Sequence, residues 1–408
     1  MLVRRFGVAV VPLCVVAVML QACGGGGGGG DSSGPSGDGQ PTATASRTPT
    51  AVRTGSPVAT RTGSSGASPT PVPVTPSAPT QTPIRPGGNS DDILVALRGA
   101  APGSTVLVAP GTYQALNITA SDVQGPVTLL ADVTGASESV GGVTISAVDS
   151  QNLPTDSAIS VTGVTGLTID GITAQGGTRQ AILVQDSLDT TVRNCVVRNS
   201  RGDGVFIQSS DGTVLFDNLA YQNKGAGLRV YTSNNIQVFN NTVYGNSKAG
   251  IYVGTTAAPS TGVVAENNII DGNVGVGIAV EDGNDAIGDY NLNTDGYTSD
   301  TLIGSHDIDA NPLFDSPMTA PATFHLAPQL DDCTNGSPAI NAGDPNTSAD
   351  FIAMLQQRST QANGMLDCVG TLCCVTASAS PTPTIIDLQP GQVDLGYHYP
   401  GTPPTPVP

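Results

Sequence analysis

The 408-residue sequence predicts an all-β solenoid, a single-stranded parallel β-helix with three short strands per coil. Three observations support this fold class. A unit of 23 residues recurs in register, each unit opens with alternating aliphatic residues, and asparagines recur at fixed positions of the units. A fixed period of this length, without helical spacing, is typical of stacked units that cannot bury their apolar faces alone.

The repeat extends over residues 158–300. Units start at Ala158, Ala181, Gly204, Gly227 and Gly250, each 23 residues after the last, and the next start comes after 27 residues because a loop adds four. The second and fourth residues of every unit are aliphatic, which predicts a strand with one buried face. These pairs are Ile159/Val161, Ile182/Val184, Val205/Ile207, Leu228/Val230, Ile251/Val253 and Ile278/Val280.

Asparagines and glycines mark the predicted turns. One column contains Asn218, Asn241 and Asn268, and a second column contains Asn223, Asn246 and Asn273. Because a buried amide is costly unless it is paired, each column predicts a ladder of hydrogen bonds from coil to coil. We expect Gly204, Gly227, Gly250 and Gly277 at tight turns of the backbone.

A short amphipathic helix is predicted before the first coil. Ser90 precedes Asp91 and Asp92 as an N-cap, the apolar run 93–97 follows, and the helix ends near Gly99. Such a helix would cap the open end of the solenoid and protect its unpaired strand edges.

These patterns resemble the right-handed parallel β-helix, pectate-lyase-like superfamily, and the resemblance covers residues 91–400. Residues 102–113 are similar to the first coil of that family, and several C-terminal segments are similar to bacterial surface β-helix proteins, among them Phe324-His325-Leu326 and residues 337–344. The resemblance implies right-handed coils, C-terminal segments that close the last coils, and a saccharide groove on the outer face of one sheet.

The N-terminal region predicts an exported, lipid-anchored protein. Residues 1–22 contain Arg4-Arg5 and an apolar run, as in a secretory signal, and Leu20-Gln21-Ala22-Cys23 resembles a lipobox in which Cys23 receives lipid. Residues 23–89 are rich in Gly, Ser, Thr and Pro and predict a disordered tether. We expect an extracytoplasmic location at the outer membrane or cell surface, a folded domain over residues 90–400 and a disordered tail at 401–408.

Charge argues against nucleic acid as a partner. Six of the 15 Lys and Arg residues and two of the 33 Asp and Glu residues lie in the first 90 positions, which leaves 9 basic against 31 acidic residues, a net charge of −22, in the rest. A strongly acidic domain repels a polyanion.

The cysteines predict disulfides in the irregular C-terminal part, residues 301–400. In an exported protein four clustered cysteines indicate two disulfides, and the sequence leaves all three connectivities of Cys333, Cys368, Cys373 and Cys374 open. Cys195 falls in a coil and is expected to be a buried thiol.

The candidate binding surface is the outward face of the first strand of each unit. Aromatic rings there would stack on sugars, and Arg or Gln would orient hydroxyl or carboxylate groups. The candidate ligand-binding residues are Phe206, Gln208, Arg229, Tyr231, Tyr252 and Glu281. The resulting expectation is a carbohydrate-binding or structural module of the cell envelope.

Two other functions stay open. The first is a polysaccharide lyase or glycoside hydrolase with Arg229 and Asp203 as candidate catalytic residues, although the characteristic motifs of the lyase, hydrolase and epimerase families are absent. The second is an adhesin. Zinc is not expected, and no regular calcium motif is complete, since Pro312 replaces the required Gly of an EF-hand loop. Irregular calcium binding by the acidic stretch 281–350 stays an alternative.

Overall fold

A computed structural model describes residues 90–132, 142–254, 258–299, 302–317, 323–327 and 336–348, together with 351–352, 355, 358–359, 393–396 and 399–400. Three predicted features lie outside these residues and stay predictions: the lipobox, the tether and the disulfides of the four C-terminal cysteines. No helix in the described ranges is both long enough and apolar enough to cross a membrane.

Besides helical residues at 351–352 and 355, the described residues form one helix and 27 strands. They are α1 Asp91–Gly99, β1 Thr105–Val108, β2 Gly111–Tyr113, β3 Leu116–Thr119, β4 Val127–Ala131, β5 Val143–Ser146, β6 Ile159–Thr162, β7 Leu167–Asp170, β8 Thr173–Gln175, β9 Gln180–Gln185, β10 Thr191–Arg193, β11 Val196–Arg198, β12 Asp203–Gln208, β13 Val214–Phe216, β14 Leu219–Tyr221, β15 Leu228–Tyr231, β16 Gln237–Phe239, β17 Thr242–Tyr244, β18 Ile251–Val253, β19 Val263–Glu266, β20 Ile269–Asp271, β21 Ile278–Val280, β22 Ala286–Asp289, β23 Leu292–Asn293, β24 Phe314–Ser316, β25 Thr323–Leu326, β26 Arg358–Ser359 and β27 Tyr399–Pro400.

Strands β1–β23 form three parallel sheets in which every third strand is a neighbour, which confirms the parallel β-helix, whereas β24–β25 and β26–β27 are two antiparallel pairs. Sheet 1 contains β1, β4, β7, β10, β13, β16, β19 and β22; sheet 2 contains β2, β5, β8, β11, β14, β17, β20 and β23; sheet 3 contains β3, β6, β9, β12, β15, β18 and β21. The predicted aliphatic pairs face the interior and are almost completely buried up to Val253.

The regular coils begin earlier than the repeat predicted. Sheet 1 already starts at Thr105, whereas the sequence period becomes visible only at Ala158. The reason is an insertion between β3 and β6, where the neighbours Asn117 and Ser160 are 43 residues apart. That length hides the 23-residue period of the first coils.

The capping helix is confirmed, and its start differs in detail from the prediction. Ile93 and Leu97 of α1 are fully buried in the same core as the first coil. Ser90 holds the N-cap position, yet its side chain does not cap the helix, because its hydroxyl donates to the carbonyl oxygen of Gln114 at 2.6 Å. The hydroxyl therefore fastens the helix to the loop before β3.

Both asparagine ladders are present. In the first, Nδ2 of Asn218 donates to Oδ1 of Asn241 at 3.0 Å. Nδ2 of Asn241 donates in turn to Oδ1 of Asn268, also at 3.0 Å. The second ladder runs from Asn223 to Asn273 and ends on the carboxylate of Asp295. A third ladder, which the sequence analysis did not anticipate, uses serine hydroxyls as acceptors for backbone amides: Ser187, Ser210, Ser233 and Ser260.

The coil-starting glycines have a different role from the one expected. None of the four has a φ angle in the left-handed region. Instead a Cβ on Gly204 would lie 2.4 Å from the carbonyl oxygen of Gly227 and 2.8 Å from Nδ2 of Asn223. These glycines are needed because the next coil and the asparagine ladder approach their backbone closely.

Described C-terminal residues lie against the outer faces of sheets 1 and 2, and Leu326, Ile340 and Leu395 pack there on Ile269 and Leu292 of the last coils. On sheet 1 the ring of Phe351 lies 4.9 Å from that of Phe216 and 5.2 Å from that of Phe239. On sheet 2 the ring of Phe324 lies 5.1 Å from that of Tyr221. This packing buries Phe216 and Tyr221, whereas the aromatic residues on the outer face of sheet 3 remain partly exposed.

Candidate functional site: the outer face of sheet 3

The predicted binding residues form a continuous patch on the outer face of sheet 3. Parallel pairing places Leu183, Phe206, Arg229 and Tyr252 side by side on β9, β12, β15 and β18. Gln208 pairs with Tyr231 two residues further along the strands, and therefore faces the same side. The 23-residue spacing thus predicts this set of neighbours correctly.

Arg229 is at the centre of this patch. Its guanidinium carbon lies 5.2 Å from the ring centre of Phe206, 5.7 Å from that of Tyr231 and 5.0 Å from that of Tyr252. Each distance is within the range of a cation–π contact. We call Phe206, Arg229, Tyr231 and Tyr252 the Arg229 cluster.

Asp203 pairs with Arg229 and also has a structural role. Its Oδ2 lies 3.3 Å from Nη1 of Arg229, while its Oδ1 accepts the backbone amide of Ala226 at 2.8 Å. Asp203 is buried, and the Arg229 side chain is 31% exposed. The carboxylate holds the guanidinium in place and joins β12 to the following coil.

Tyr252 and Glu281 extend the cluster toward the end of the sheet. The phenol of Tyr252 donates a hydrogen bond to Oε1 of Glu281. Burial, followed by this hydrogen bond and the negative charge of Glu281, raises the pKa of Tyr252 to about 12. The phenol is therefore protonated at neutral pH and acts as a hydrogen-bond donor.

We expect a Tyr252→Phe variant to lack one phenol ionisation centred near pH 12, the pKa of Tyr252. Because the folded-state pKa is above the ordinary value of 10.0, this phenol stabilises the fold below pH 10 and loses that contribution as the pH rises toward 12. A difference titration by tyrosinate absorbance between wild type and variant measures this step. Glu281→Gln should lower the pKa of Tyr252, and an unchanged titration in that variant would contradict the assignment.

A groove of about 520 Å³ continues the outer face of sheet 3 toward α1. Its lining includes Asn117, Ser160 and Leu183, the outward residues of β3, β6 and β9, which precede Phe206 in the same row. Asp149 and Asp156 also line it, as does Arg179. The repeat does not reveal this groove, because one of its walls comes from residues 149–157, before the visible repeat begins.

The histidines and acidic residues of the described ranges are dispersed. Within the described ranges, no group of three or more His, Cys, Asp or Glu side chains is arranged to hold a metal ion. His306 instead stacks on Tyr290 with 4.3 Å between ring centres, and its Nδ1 lies 2.9 Å from Oδ2 of Asp289.

The fold and this face define a parallel β-helix protein with an aromatic, arginine-centred surface on one sheet. Residues 133–298 match the family model described as "Right handed beta helix region", so this part of the chain is a right-handed β-helix, as the resemblance implied. A search of curated proteins found no match.

Solved structures with similar folds include enzymes that act on alginate. The periplasmic alginate epimerase AlgG is 11% identical, with 49% of this chain and 45% of that chain covered and a TM-score of 0.37. The alginate lyase from Paenibacillus sp. str. FPU-7 is 13% identical, with 55% and 98% covered and a TM-score of 0.31. The Agl-KA catalytic domain is 16% identical, with 56% and 50% covered and a TM-score of 0.34. The chain spans less than half of the epimerase, and the likeness concerns the fold alone.

Proposed function

We propose that this protein binds a glycan on the outer face of sheet 3 and does not cleave it. The arrangement of Arg229 between three aromatic rings supports this proposal. Ring faces stack on sugar rings, and a guanidinium fixed by Asp203 offers the N–H groups of its exposed part, though not the buried Nε, at little cost in side-chain entropy. A preorganised surface of this kind suits binding.

The chemistry of the same groups argues against an enzyme of the lyase type. A lyase needs a group that accepts a proton from the sugar. Arg229 is paired with the carboxylate of Asp203, and the raised pKa of Tyr252 keeps its phenol protonated at neutral pH. Asp203 accepts hydrogen bonds through both carboxylate oxygens. The Arg229 cluster therefore offers donors and apolar faces, while the two carboxylates beside it, Asp203 and Glu281, already accept hydrogen bonds from Arg229 and Tyr252.

Glycan-array binding by the full chain, with and without calcium, tests the proposal when the products of each hit are also analysed. We expect Tyr252→Ala to weaken binding by about 2 kcal/mol, roughly thirtyfold, because it removes a stacking surface from the Arg229 cluster. The matched control is Tyr290→Asn, which removes a tyrosine elsewhere and places at this left-handed position the residue found one coil earlier, at Asn267.

Three outcomes would contradict the binding proposal. Cleavage of a bound glycan would make the protein an enzyme, and unsaturated products would identify a lyase. If Tyr252→Ala and Tyr290→Asn reduced glycan affinity equally, the Arg229 cluster would not be the binding site. Binding to no glycan would favour an adhesin or a structural module.

We also propose that the β-helix is held at a membrane surface outside the cytoplasm by lipid on Cys23. The support is the signal-like segment and the lipobox-like Leu20-Gln21-Ala22-Cys23. Stable anchoring requires more than one acyl chain, which a lipoprotein N-terminus provides. Cys23→Ser should move the protein from the membrane fraction to the soluble fraction, and unchanged membrane association would refute the anchor.

A further inference from the structure

The groove beside α1 differs chemically from the Arg229 cluster. Its floor contains Gln180 and Ser157, both more than nine-tenths buried, and Nε2 of Gln180 donates to Oγ of Ser157 at 2.8 Å. No described residue donates a hydrogen bond to Oε1 of Gln180. The groove has a volume of about 520 Å³, which is within the usual range of small-molecule sites.

Two carboxylates in this groove have an acceptor oxygen to spare. Oδ1 of Asp149 accepts the amides of Gln151 and Leu153 at 2.8 and 2.9 Å, and Oδ1 of Asp156 accepts the hydroxyl of Thr178 at 2.7 Å. Within the described ranges neither Oδ2 accepts a hydrogen bond. These contacts fix the position of each carboxylate and leave one oxygen of each for a ligand.

The groove and the Arg229 cluster are contiguous. Leu183 of the groove pairs in register with Phe206, and Gln180 pairs with Asp203. From Asn117 in the groove to Tyr252 there are five steps between neighbouring strands, or about 24 Å at the usual strand spacing. One extended oligosaccharide that runs across the strands would contact both.

We propose that this groove is a second subsite, which takes a sugar unit that donates hydrogen bonds, above all one with a protonated primary amine. The spare oxygens of Asp149 and Asp156 and the carbonyl of Gln180 are acceptors, and an ammonium group donates to three of them. A uronate in the groove would face three lining carboxylates, Asp91, Asp149 and Asp156, with Arg179 as the lining cation. Only one part of this inference rests on the proposed function, namely that the same ligand continues from the groove onto the Arg229 cluster.

The test compares the affinity of the full chain for a glucosamine tetramer, an N-acetylglucosamine tetramer and a uronic acid tetramer by calorimetry. We expect the glucosamine tetramer to bind roughly tenfold more tightly than its acetylated form, because a charge-assisted hydrogen bond replaces a neutral one. Asp149→Asn and Asp156→Asn should each remove most of this preference. Asp189→Asn is the matched control, since it neutralises an exposed carboxylate outside the groove at a left-handed position that suits asparagine.

The outcomes separate the two proposals. Equal affinity for the two hexosamine tetramers, a preference unaffected by Asp149→Asn and Asp156→Asn, or tightest binding of the uronate would overturn the amine subsite and leave glycan binding intact. If the two Asp variants abolish the preference while Tyr252→Ala has no effect, the subsite stands and the Arg229 cluster is wrong. If none of the three tetramers binds, the amine subsite is overturned. The glycan-array experiment then tests the proposed function independently.

Discussion

Asn241→Ala is expected to lower the free energy of unfolding by about 3–5 kcal/mol, because it interrupts the first asparagine ladder inside the coil. The amide of Asn241 is fully buried. Its Oδ1 accepts from both the backbone amide and the Nδ2 of Asn218, and its Nδ2 donates to the carbonyl oxygens of Leu215 and Phe239 as well as to Asn268. Alanine would leave several of these groups buried without partners, and each such group costs about 1–3 kcal/mol.

Denaturant unfolding measures this loss, and Asn234→Ala is the matched control. Asn234 lies in the same coil, is exposed and has one side-chain hydrogen bond, from the hydroxyl of Thr261. Its replacement should change the unfolding free energy by less than about 0.5 kcal/mol. If Asn241→Ala and Asn234→Ala had equal unfolding free energies, the buried ladder would stabilise the fold no more than an exposed asparagine does.

Gly204→Ala should destabilise the coil by about 2–4 kcal/mol, because the added methyl group would overlap the carbonyl oxygen of Gly227 on the next coil. Backbone atoms cannot turn aside as a flexible side chain does, so neighbouring coils would have to separate. We expect a lower midpoint of thermal unfolding and a loss of ligand affinity, since Phe206 lies two residues further along β12.

The control for this variant is Gly99→Ala at the end of α1. An added Cβ there meets no atom within 4 Å. Alanine is also the better helix former, so this variant should be as stable as wild type or slightly more stable. A Gly204→Ala protein with wild-type stability would show that the coils can move apart at this position without cost.

The sequence predicts the coils and the Arg229 cluster for the same physical reason. A parallel β-helix places residues one period apart on neighbouring strands, so Phe206, Arg229 and Tyr252 become neighbours through spacings of 23 alone. The Asn241 ladder follows from the same rule. The period does not show side-chain pairing between different columns, and therefore the hydrogen bond that the Tyr252 phenol donates to Glu281, 29 residues further on, was not predicted.

The 23-residue spacing predicts neither the groove beside α1 nor the packing of the C-terminal segments. Asp149 belongs to an insertion that interrupts the 23-residue period, so no spacing places it beside Asp156 and Leu183. Phe351 likewise packs on Phe216 through a segment outside the repeat. Contacts of this type depend on the tertiary path of a single segment, and one sequence without repetition does not define that path.

The alternation of inward and outward side chains on sheet 3 separates surface chemistry from stability. The outward row changes from Leu183 to Phe206, Arg229 and Tyr252, while the inward residues beside it remain aliphatic in every coil. Removal of residues 204–226, one complete period, would join Asp203 to Gly227 in register and place Leu183 next to Arg229. Gain or loss of whole coils would therefore alter the length and order of this outward row while the fold is retained.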